Sequence, residues 1–144
     1  MVKVFYFFFA IIIISCSSAD DCSLDITVSF YQGSTLKICA DMEQVVLQGI
    51  DSEVGILRKI DSSLVINYDN GGLAGLYVGE NESKEIGQSV NQEFWYTTRN
   101  NTFYVTFPTP SGDTIFPYFG HNFYSNDLEE KDLILDIMRT FEYQ

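Results

Sequence analysis

Few side chains in this sequence are placed to do chemistry. His121, in Phe119-Gly120-His121-Asn122-Phe123, is the only histidine among 144 residues. Serines and aspartates are plentiful enough to complete a Ser-His-Asp set, but no Gly-x-Ser-x-Gly elbow accompanies them. A lone histidine among aromatics reads first as structural. Twenty acidic residues supply many carboxylate pairs for glycosidase-type acid–base work, yet none lies in a recognisable motif. Asp69-Asn70-Gly71-Gly72 lacks the alternating ligands and distal glutamate of a calcium loop and reads as a turn. Gly71-Gly72-Leu73-Ala74-Gly75 has no lysine or serine after it, which excludes a phosphate loop. There is no Cys-x-x-Cys, and Cys and His are too sparse for zinc. No catalytic set, metal site or cofactor is expected.

Charge narrows the partners instead. The formal net charge is −12, and loss of Lys3 with a leader leaves −13. Nucleic acid phosphates would be repelled, as would anionic lipid surfaces. A basic protein partner would be attracted from a distance. The segment from Gly79 to Asn91 reads as a long polar loop acidic at Glu80, Glu82 and Glu85. Loops carried by rigid strands often do the recognising, so these three residues are the candidate contact set. Asn81-Glu82-Ser83 and Asn100-Asn101-Thr102 match the N-glycosylation acceptor.

The amino terminus reads as a targeting signal spanning 1–19, leaving 20–144 as one globular domain. Lys3 precedes an uninterrupted apolar run, Val4 to Ile14. As a helix that run reaches only about 16 Å, against the roughly 30 Å of a bilayer core, so any membrane attachment would have to be a lipid anchor. Two processing sites compete. Ser17-Ser18-Ala19 offers small residues for cleavage. Ile13-Ile14-Ser15-Cys16 resembles a bacterial lipobox, and this reading is favoured; it implies lipidation of Cys16, and Ser17 after it would suit outer-membrane sorting. The protein is then periplasmic or outer-membrane-anchored in a bacterium, and otherwise secreted. Either way Cys22 and Cys39 remain, and in an oxidising compartment they should pair.

The elements that must position these residues are mostly strands. Asp25–Phe30 and Thr35–Cys39 flank a turn in which Gly33 supplies positive φ, and the disulfide requires a bend before Asp25. Gln44–Gln48 reads as a short strand or a weak helical turn. Val54–Ile60, Leu64–Tyr68 and Leu73–Val78 read as strands, the last two separated by the Asp69–Gly72 turn. Glu93–Thr98 and Thr102–Phe107 form a hairpin about Asn100-Asn101, ended by Pro108 and Pro110. Thr114–Tyr124 holds one or two strands, with Pro117 at an edge or a bend. Leu128, Ile134, Ile137, Met138 and Phe141 then fall at helical spacing, with Asn126 and Glu129 as a capping box and Arg139 at the C-terminal end. The aromatics alternate in short runs and read chiefly as core and cross-strand pairs. The fold class is α+β: a mainly antiparallel sheet of six to eight strands with a C-terminal α-helix on one face.

Leu47-Gln48-Gly49-Ile50-Asp51-Ser52-Glu53-Val54-Gly55, followed by Leu64-Val65-Ile66-Asn67-Tyr68-Asp69-Asn70-Gly71, resembles a run found in small exported bacterial proteins, often lipoproteins, of uncharacterised function. The resemblance implies the compartment and the α+β class and carries no catalytic residue across. In the chain itself, Gly49 and Gly55 read as brackets of a polar turn. Two functions from different classes fit. The first is a membrane-anchored protein acting by protein binding, as an inhibitor or immunity protein does. The second is a small envelope hydrolase using His121 or a carboxylate pair. A serine and an aspartate gathered on His121 in a cleft would favour the hydrolase; an acidic surface rimmed by aromatics would favour the binder.

Overall fold

The structure, a computed structural model, describes residues 22–30, 33–47, 49, 52–71, 75–110 and 118–144. The leader, Cys16, Asp51 and Pro117 lie outside the described residues. The strands are β1 (Ile26–Ser29), β2 (Thr35–Ile38), β3 (Met42–Leu47), β4 (Glu53–Lys59), β5 (Val65–Gly71), β6 (Glu85–Gln88), β7 (Glu93–Arg99), β8 (Thr102–Pro110) and β9 (Tyr118–Ser125), and one helix follows, α1 (Lys131–Arg139). β3 to β9 make one antiparallel sheet in the order β3-β4-β5-β9-β8-β7-β6, and β1 with β2 makes a separate hairpin.

The clearest turn signals hold. Gly33 has φ +83° in the β1–β2 turn, where Phe30 N–H donates to the Ser34 carbonyl at 2.8 Å. Asn100 and Asn101 both take positive φ, which lets a two-residue turn match the twist of β7 and β8. Cys22 and Cys39 are joined by a disulfide with Cα atoms 5.2 Å apart. The required bend is a tight turn at Ser23–Asp25, where Asp25 N–H donates to the Ser23 carbonyl. Closing this loop limits the unfolded chain and stabilises by about 3 kcal/mol.

Other expectations are corrected. Asp69-Asn70-Gly71 is not a turn but the end of β5, with Asn70 opposite His121 and Gly71 opposite Gly120. The described part of the expected Leu73–Val78 strand, residues 75–78, forms no strand. The Gly79–Asn91 loop contains β6, paired with β7 from Glu85↔Tyr96 to Gln88↔Glu93. Gly55 brackets no turn. It lies inside β4 opposite Tyr68, where a Cβ would collide with the Tyr68 ring and the Val45 carbonyl. Pro108 and Pro110 do not end β8, which continues along β9 to Pro110↔Tyr118. Pairing of β8 with β7 runs only to Trp95↔Thr106, so beyond that point no described strand on that side calls on the N–H groups the prolines lack.

Alternation gives the sheet two faces. The inner face carries Leu57, Ile66, Tyr68, Phe94, Phe103, Val105, Phe107 and Phe123, all buried. α1 closes it with Ile134, Leu135, Ile137 and Met138, together with Val28, Phe30, Leu36 and Ile38 of the hairpin. Phe141, just past the helix, stacks on Phe107 with centroids 4.0 Å apart. The tail beyond α1 is held on two sides: Thr35 bridges Glu142, while Val90 N–H donates to the Phe141 carbonyl. The capping box does not form. Asn126 instead accepts a bond from the Thr102 hydroxyl at 2.7 Å, and a 3₁₀ turn at Leu128–Glu130 leads into α1 with no side-chain cap. Truncating Ile134 or Ile137, 1 % and 0 % exposed, to Ala should cost about 2–5 kcal/mol in urea unfolding. Losses below about 0.5 kcal/mol for both would contradict the docked helix.

Candidate functional site

β5 lies mid-sheet and β6 at an edge, so the chain between them must pass β9, β8 and β7. Residues 75–84 make this passage across the outer face, and buried polar side chains of the sheet receive them. Asn122 Oδ1 accepts from Tyr77 N–H at 3.0 Å and from the Thr106 hydroxyl at 2.8 Å. Its amide nitrogen donates to the Gly75 carbonyl at 2.8 Å. Thr106 Oγ1 accepts from Val78 N–H at 3.0 Å. Asn122 and Thr106 are both fully buried, so these bonds form where water cannot compete and a lost partner would be costly. Further along, Arg99 donates to the Tyr77 carbonyl at 2.6 Å and to Glu82 at 2.6 Å, and the Thr97 hydroxyl donates to the Ser83 carbonyl.

This strap places Tyr77 beside two sheet tyrosines and builds a groove of about 320 Å³ lined by Tyr77, Arg99, Tyr104 and Tyr124. That is within the lower range of ligand sites. Tyr104 and Tyr124 stack at 6.2 Å, and Tyr77 meets Tyr124 at 5.9 Å and Tyr104 at 6.3 Å. The Arg99 guanidinium lies over the Tyr104 ring, 4.5 Å from its centroid. The Tyr77 hydroxyl donates to Asp69 at 3.0 Å. Burial, reinforced by that carboxylate, pushes its pKa up to about 12, so the phenol stays neutral and offers no nucleophile. The groove presents flat aromatic faces, polar edges and a guanidinium paired with Glu82.

The three glutamates have separate surroundings. Glu82 accepts from Gly79 N–H at 3.1 Å as well as from Arg99, and those two partners hold its carboxyl below the usual range. It is a clasp of the strap. Glu85 lies on β6, accepts from the Tyr96 hydroxyl at 3.1 Å and sits 3.8 Å from Lys131. Glu80 is exposed at the strap's turn. The three therefore form no common cluster. Sequence reasoning passed over Arg99, Asn122 and Thr106; a polar Asn122 between His121 and Phe123 on an aromatic strand was the available signal.

His121 is on the opposite face, 1 % exposed, with its ring 5.3 Å from Phe141 and 5.7 Å from Tyr143. Among the described residues neither ring nitrogen has a hydrogen-bond partner, so no Ser-His-Asp set is assembled there. Nor do three or more His, Cys, Asp or Glu residues gather as metal ligands among the described residues, and no described helix is long and apolar enough to cross a membrane. No protein family, characterised protein or solved structure matches the chain.

Burial pushes the His121 pKa down to about 4 from the ordinary 6.5. The unfolded chain then binds the proton more readily than the folded one, so stability is intact above pH 6.5 and falls as pH drops from 6.5 towards 4. The full loss is about 3 kcal/mol. Urea midpoints of the wild type should decline over that window more steeply than those of His121→Gln. Parallel curves would show that His121 does not titrate as a buried neutral group.

Proposed function

We infer that this chain is an exported binding protein that recognises a protein partner through the outer face of its sheet, by contact and not by chemistry. The tyrosine–arginine groove carries the reading. Tyr and Arg are the residues most enriched among those that dominate binding energy at protein interfaces, and here they line one open groove on a rigid sheet. The net charge of −12 supports a basic partner, drawn in by long-range attraction. A single buried histidine with unpaired nitrogens gives little support to the hydrolase alternative.

The apolar run before Cys16 supports export with a lipid anchor on that residue. An intact mass for envelope-purified protein should correspond to a chain starting at lipidated Cys16; a chain starting at Asp20 without lipid would remove the anchor.

Tyr104→Ala and Tyr124→Ala should each weaken binding to the partner recovered from the source cell envelope by about 10-fold or more, measured by calorimetry. Binding should also weaken as salt rises. Circular dichroism should show the sheet retained in both variants. Unchanged affinity in both, or a hydrolytic activity abolished by His121→Ala, would overturn the reading.

A further inference from the structure

Five buried polar atoms belong to residues that strand register brings towards one end of the core. Ser34 Oγ, Asn70 Nδ2, Thr109 Oγ1 and both ring nitrogens of His121 are sealed from solvent and find no hydrogen-bond partner among the described residues. Ser34 and Asn70 are 0 % exposed and His121 1 %. The register explains their convergence. Asn70 lies directly opposite His121. Phe107 lies opposite His121 on its other side, and Thr109, two residues on, faces the same way. Thr35 bridges Glu142, so Ser34 and Tyr143 are the next residues beyond that bridge, and the Tyr143 ring packs on His121.

Buried polar groups are nearly always satisfied. Each unsatisfied one carries a desolvation penalty, and five together would rival the whole margin by which a domain stays folded. The chemistry is complementary as well. Asn70 Nδ2 donates and a neutral imidazole both donates and accepts, yet these cross-strand neighbours do not bond directly. An oxygen bonded to both would satisfy them. Burial is the cause of the His121 shift, so the ring is held there as a neutral imidazole. Aromatic walls from Phe141 and Tyr143 complete the surroundings.

We propose that Ser34, Asn70, Thr109 and His121 form an internal binding site for neutral hydroxyl oxygen, supplied either by trapped water or by a small alcohol. A hydroxyl oxygen both donates and accepts, and so can bridge the Asn70 amide and an imidazole nitrogen of His121 while bonding a side-chain hydroxyl. An anion would need a cation, and a metal ion would need several ligating side chains; among the described residues no group of three or more His, Cys, Asp or Glu gathers there.

The test uses the intact chain with ¹⁵N-labelled histidine. Nuclear magnetic resonance should give His121 nitrogen shifts characteristic of hydrogen-bonded imidazole. Magnetisation transfer from water to the His121 ring identifies water as the occupant. Saturable shifts at His121 and Asn70 on titration with ethylene glycol, with none on titration with acetate or ammonium, identify an alcohol site. Ser34→Ala and His121→Phe remove polar atoms with little change of shape. Both should lower Tm, by about 3–6 °C, because they strip bonds from the occupant. Free-imidazole nitrogen shifts with neither water transfer nor a glycol response, or a Tm that rises in both variants because unpaired polar atoms have been removed, would overturn the proposal.

Discussion

The passage from β5 to β6 constrains the rest of the molecule. A chain leaving the middle of a seven-stranded sheet for its far edge must cross three strands, and its backbone groups need partners on the way. Asn122 and Thr106 supply them from fully buried positions. An amide is well suited to the task because it donates and accepts together; Asn122 holds Gly75 with one end and Tyr77 with the other. Replacing it with an apolar residue of similar size would leave Tyr77 N–H and the Gly75 carbonyl without these partners.

That constraint divides labour between the two faces. The inner face is dense and aromatic: Phe30 packs edge-on against Tyr68 and Phe123, and Phe107 stacks on Phe141. The disulfide fastens the segment before β1 to the end of the hairpin, and the tail is pinned between that hairpin and residues 90–91. Stability is concentrated there. The outer face carries the strap and its groove, whose tyrosines remain partly exposed. Surface area of this kind can evolve towards a partner without disturbing the core.

Much of the fold was legible because local signals and tertiary demands agreed. Asn100-Asn101 marks the β7–β8 hairpin, Gly33 the first turn, and the spacing of Ile134, Ile137, Met138 and Phe141 the helix face. The misreadings fall where tertiary structure uses a residue against its local habit. Asn70 and Gly71 look like a turn, but Asn70 Oδ1 accepts from Asn122 N–H across the sheet, which holds β5 extended. Gly55 looks like loop chemistry, but its missing Cβ makes room for the Tyr68 ring. Asn126 looks like a helix cap, but Thr102 takes its side chain. The groove was illegible for a similar reason. Tyr77, Tyr104 and Tyr124 fall in three separate expected strands, Leu73–Val78, Thr102–Phe107 and Thr114–Tyr124, yet only the crossing brings Tyr77 over the other two and sets Arg99 against them. No spacing in the sequence encodes that meeting, which depends on strand order.

The claim at the centre of this account is that the outer face meets a partner while the inner face holds the fold. Hydrogen–deuterium exchange of the free protein and of its complex, compared peptide by peptide, tests it most directly. The account predicts added protection on binding in residues 75–84 and in β7, β8 and β9, with α1 and the β1–β2 hairpin unchanged. Protection confined to α1, to the hairpin or to the β3 edge, with the strap exchanging as in the free protein, would contradict it.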